Sequence, residues 1–86
     1  GGMITLEVSY FASVREARGA SSDIVELAGD ETAAGLLDAL RRGPLAMLDE
    51  RLAASLLIAV NQTVAAPTLR LRAGDEIAVF PPMTGG

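Results

Sequence analysis

The clearest periodic pattern in the chain is an amphipathic helix over residues 33–42, and it constrains everything around it. Ala33, Leu36, Leu37 and Leu40 recur at i, i+3, i+4 and i+7, with Thr32 or Asp30 as N-cap ahead of them. Asp38 lies four residues before Arg42, Arg41 and Arg42 complement the C-terminal dipole, and Gly43-Pro44 stops the helix. Gly35 breaks the pattern: a mid-helix glycine costs about 1 kcal/mol relative to alanine, so it either permits close packing or is tolerated. One apolar stripe must be buried against something, and the flanking segments have the period of strands.

Residues 4–11 alternate, with Ile4, Leu6, Val8 and Tyr10 on one face and Thr5, Glu7, Ser9 and Phe11 on the other. Residues 12–19 close on Gly19 and suit a short helical turn or loop. Residues 24–27, ahead of Gly29-Asp30, predict a second strand at a sheet edge. Leu45, Leu48 and Leu52 have helical spacing and predict a second, shorter helix over residues 45–54. Residues 56–60 form an apolar strand ending at Asn61-Gln62, residues 63–65 resume extension before Pro67, and residues 76–80 make the last strand after the Ala73-Gly74-Asp75 turn.

This order predicts an α+β domain with one mixed sheet and a helix packed on one face. The β-grasp arrangement fits it, with the first and last strands side by side in the middle. Another α+β roll is the alternative. The domain spans residues 3–80, and residues 81–86 form a flexible tail. Gly1 and Gly2 precede Met3, which reads as the native start, so the pair reads as a cloning or protease scar.

Composition narrows the chemistry. The 86 residues include no cysteine, histidine or lysine. That leaves no thiol nucleophile, no imidazole base or zinc ligand, and no amine for a Schiff base. Half the residues are hydrophobic but only Tyr10, Phe11 and Phe80 are aromatic, so the core is one of Leu, Val, Ile and Ala. A net charge of -4 with dispersed arginines lacks the basic face that nucleic acid needs. No apolar run reaches spanning length and no leader pattern opens the chain, so no membrane association and a cytoplasmic location are expected.

The best reactive group left is the carboxylate of Gly86. Pro81 and Pro82 cannot extend a ladder and stiffen the exit from the sheet, and residues 81–86 reach about 20 Å when extended. Met83, Thr84 and Gly85 complete an arm suited to another protein's cleft, where the absence of Cβ at Gly85 and Gly86 allows close approach. A terminal glycine pair alone fits a frayed end equally well.

Four blocks go further: YFASVRE at residues 10–16, AVNQT at 59–63, AGDEIAVFPP at 73–82, and the terminal MTGG. With length and element order they cover nearly all of the chain from Met3 onward, and it resembles the small, sulfur-carrying subunits of molybdopterin synthase, a ubiquitin-like β-grasp family. Gly-Gly alone is shared with ubiquitin-like modifiers and other carriers, whereas AVNQT ahead of GDEIAVFPPMTGG is far more specific.

The resemblance implies that an E1-like adenylating enzyme activates Gly86 with ATP, that a sulfur donor protein supplies sulfur, and that the resulting thiocarboxylate enters the large synthase subunit. There it donates sulfur to cyclic pyranopterin monophosphate to build the molybdopterin dithiolene. By this resemblance the chain is not catalytic alone and binds no cofactor or metal itself. The competing readings are a carrier for thiazole or cysteine synthesis, a ubiquitin-like protein modifier, and a plain interaction domain with an incidental tail.

Strand parity also predicts a docking surface. If Ile77 and Val79 face the core, Phe80 faces out; if Tyr10 faces in, Phe11 faces out beside it. Phe80 and Phe11 centre this surface, with Val64 as a further member. The alternative is that one ring turns into the core where the chain bends at a strand end.

Overall fold

The computed structural model describes residues 2–82. Five strands, β1 (Met3–Tyr10), β2 (Ser22–Ala28), β3 (Leu57–Val60), β4 (Thr63–Val64) and β5 (Ile77–Phe80), form one sheet in the order β2-β1-β5-β3-β4. β1 and β5 run parallel at its centre and the other pairings are antiparallel. The helices are α1 (Ala12–Arg18), α2 (Ala33–Arg42) and α3 (Glu50–Ser55). This is the β-grasp arrangement.

The core lies on one side of the sheet. Leu6, Val8 and Tyr10 of β1, Ile58 and Val60 of β3, and Ile77 and Val79 of β5 are buried with Ala33, Leu36 and Leu40 of α2. Leu37 is only partly buried and packs against the margin of this cluster, which corrects its expected place in the core. At about 100° per residue, Leu36 and Leu37 flank the line of Ala33 and Leu40 on opposite sides, and the flank of Leu36 is the one turned fully into the core.

Thr32 caps α2, its hydroxyl accepting from the Gly35 N–H at 3.2 Å. The adjacent Glu31 carboxylate accepts from the Thr32 N–H at 2.9 Å and occupies the space a Cβ on Gly35 would take. That is the close approach which a glycine in the first turn permits.

Three elements depart most from the pattern-based expectation. Residues 12–18 are helical, closed by Gly19 in the left-handed region with φ 78. β2 is longer than expected because its ladder with β1 continues to Ala28↔Met3. α3 begins only at Glu50, because Asp49 takes the N-cap and accepts from the Leu52 N–H at 2.8 Å. Leu45 and Leu48 are buried all the same, from turns rather than from helix. Among the described residues no helix is long and apolar enough to cross a membrane.

Candidate functional site

The helices leave the other side of the sheet open. The register Leu57↔Phe80, Ala59↔Ala78 and Ala59↔Val64 puts these five side chains together on that face. Val64 is 62% exposed, Leu57 36% exposed, and Phe80 half-buried between its neighbours. Phe11 follows the pair Tyr10↔Val79, donates its N–H to the Val79 carbonyl at 3.2 Å, and is 47% exposed. Neither ring enters the core. Phe11 is not a strand residue, however: it is the N-cap of α1, and Ala12 turns the chain there at φ 52.

The end of β1 is fixed from behind. The buried Tyr10 hydroxyl donates to Asp23 Oδ2 at 2.8 Å, and Arg18 donates to both Asp23 oxygens at 2.8 and 2.9 Å. Arginine's planar fork suits such a two-point contact. The hydrogen bonds from Arg18 hold the Asp23 carboxyl below its ordinary range, while burial, reinforced by Asp23, pushes the Tyr10 phenol up. One carboxylate therefore ties β1, α1 and β2 together directly behind Phe11.

The start of β5 is fixed by Asn61. Its N–H donates to the Glu76 carbonyl at 2.8 Å, its Oδ1 accepts from the Glu76 N–H at 3.0 Å, and its Nδ2 donates to Asp75 Oδ1 at 3.0 Å. Asp75 Oδ2 accepts from the Arg72 N–H at 2.7 Å. The AVNQT and AGDE blocks thus meet in space: one amide side chain holds the β3-β4 turn against the start of β5.

β5 is thus a centre strand held at its start by Asn61 and near its end by the Phe11 N–H on the Val79 carbonyl, with Pro81 half-buried and Pro82 exposed beyond it. Met83, Thr84, Gly85 and Gly86 lie outside the described residues. Leu57 was not assigned to the open face by sequence, because a wholly apolar run such as residues 56–60 carries no parity. Its pairing with Phe80 places it there.

The family model described as ThiS family matches residues 8–86. The chain belongs to the ThiS family. It is 41% identical over 85 residues to the molybdopterin synthase sulfur carrier subunit of Escherichia coli, covering 94% of this chain and 99% of that protein. Among solved structures, this ThiS-family chain resembles small archaeal modifier protein 1 of H. volcanii, with a TM-score of 0.80 and 31% identity over 93% of this chain and 99% of that one. It shares its fold with a chain of the complex of subunits 1 and 2 of molybdopterin-converting factor from Helicobacter pylori. There the TM-score is 0.65 and identity 24%, over 96% of this chain and 100% of that one. The architecture is that of the ubiquitin-like β-grasp proteins.

Proposed function

We propose that this ThiS-family chain is the sulfur carrier subunit of a molybdopterin synthase, acting through the carboxylate of Gly86. The observation that carries the reading is the 41% identity, over almost the full length of both proteins, to a subunit of that name. The fold agrees with it, since β5, the centre strand, ends beside an open apolar face.

A carboxylate is a poor electrophile, so activation comes first. The Gly86 carboxylate attacks the α-phosphate of ATP on an E1-like adenylating enzyme, and pyrophosphate leaves. A sulfur nucleophile at the sulfide level, delivered by a donor protein, then attacks the Gly86 carbonyl carbon, the acyl–phosphate bond breaks, AMP leaves, and a terminal thiocarboxylate remains. Residues 81–85 carry that group into the large subunit, where it donates sulfur to cyclic pyranopterin monophosphate, and two transfers complete the dithiolene. ATP and the pterin are held by the partners, in the cytoplasm, and this chain supplies the nucleophile and a rigid base for its arm. Docking uses the face around Phe80, Phe11, Leu57 and Val64, because exposed apolar patches mark partner sites and aromatic anchors dominate their energetics.

The test is intact mass. After incubation with the activating enzyme, ATP and a sulfur donor, the C-terminal peptide gains the mass of one oxygen-to-sulfur exchange and then converts cyclic pyranopterin monophosphate in the presence of the large subunit. A chain that never gains that mass rules the carrier chemistry out. The likeness to an archaeal modifier protein favours a second reading, conjugation of Gly86 to other proteins. Covalent adducts recovered from cells under denaturing conditions, with no thiocarboxylate formed, would establish it instead.

A further inference from the structure

We infer that Gln62 is a recognition residue whose side-chain amide hydrogen-bonds to the partner that receives the tail, an inference that rests on the carrier reading above. Three described non-glycine residues have positive φ: Ala12 at 52, Asn61 at 53 and Gln62 at 71. Two consecutive such residues make the tight hairpin turn between β3 and β4, where glycine is strongly favoured at the second position. Asn61 has a reason to be there, because asparagine tolerates this region and its side chain makes the clamp to Asp75 and Glu76. Gln62 has none within the domain. Its amide takes part in none of those bonds, and the residue is exposed.

Its position gives a long polar side chain on this strained backbone something to do. Gln62, Glu7, Ser9, Phe11, Glu76 and Ala78 line one open concavity of about 610 Å³ on the uncovered face of the sheet. Of the three positive-φ residues Gln62 is the one whose own atoms line this concavity. Strain of this kind persists where function holds it.

Interface size supplies the occupant. A stable interface takes about 800 Å² from each partner, a patch about 28 Å on a side. The distance along β3 from Leu57, opposite Phe80, to the turn at Val60 is about 10 Å at strand rise. Gln62 follows Val60 and Asn61 in the turn, so a patch of that size centred near Phe80 reaches Gln62 at its rim.

The experiment measures affinity of the full chain for the purified large subunit, with unfolding temperature in parallel. Gln62→Ala removes the amide and Gln62→Gly removes both amide and strain. Each should weaken binding about three- to tenfold, the worth of one hydrogen bond or a little more. The unfolding temperature should hold in Gln62→Ala and hold or rise in Gln62→Gly, the opposite of what a structural role for the side chain gives. Gln62→Asn, which keeps an amide and tolerates the backbone, should recover part of the affinity. If the wild-type chain binds and both variants bind equally well, the inference is overturned while the carrier reading stands. If the wild-type chain does not bind the large subunit at all, the carrier reading fails and the inference fails with it.

Discussion

Tyr10 and Asp23 sit on different strands and share one hydrogen bond of 2.8 Å, which makes the end of β1 sensitive to pH from both directions. Asp23 is depressed by Arg18, so its contribution to stability is fully present above the ordinary carboxylate range and is lost as pH falls through its lower folded value. Tyr10 is raised, chiefly by burial, so its contribution is present below the ordinary phenol value of about 10 and is lost as pH rises above it toward its higher folded value. Urea denaturation across pH should show Asp23→Asn flattening the acid limb and Tyr10→Phe flattening the alkaline one. Unchanged limbs in both variants would mean that the bond is not maintained in solution.

Leu40 is fully buried between α2 and the sheet, whereas Leu37 packs at the margin. Leu40→Ala should destabilise the domain by about 2 to 5 kcal/mol, and Leu37→Ala by clearly less, because only the first leaves a closed cavity. Equal losses in chemical denaturation would contradict this placement of the helix.

Phe80 is half-buried on the open face and paired with Leu57. Phe80→Ala should weaken binding to the large subunit by about 1 to 3 kcal/mol and change the unfolding free energy of the isolated chain less. Titration calorimetry and denaturation of the same preparation decide between a docking and a core role: an unfolded variant whose remaining native fraction binds normally would make Phe80 core.

One residue added after Gly86 should abolish sulfur transfer without altering unfolding, since the reactive carboxylate is then displaced from its position. Gly85→Ala should slow transfer by setting a methyl group where backbone approach is close. Normal turnover by the extended chain would exclude the tail as the sulfur-bearing group.

Strand alternation made the centre of this fold legible. Ile4 to Tyr10 and Ile77 to Phe80 have period two, and the parity they imply is the parity found for Leu6, Val8, Tyr10, Ile77 and Val79. Side-chain capping was harder to read: Leu45, Leu48 and Leu52 have helical spacing, yet Asp49 competes for the backbone and starts the helix later. The open face was half legible. Phe80 and Phe11 follow from parity, but Leu57 depends on a register that only pairing sets, and the positive φ of Ala12 and Gln62 is imposed by tertiary structure on residue types that do not advertise it. Asn61 carried a turn signal in sequence, but its bonds to Asp75 and Glu76, 14 and 15 residues away, did not.

The place of β5 in the sheet has a consequence for biosynthesis. It is the last strand in the described chain and the middle one in space, so a nascent chain that stops short of Ile77 holds two strand pairs, β2-β1 and β3-β4, with no strand between them to join their ladders. Contacts this distant in sequence form late and slowly. The domain therefore cannot complete its sheet on the ribosome while that strand is still in the exit tunnel.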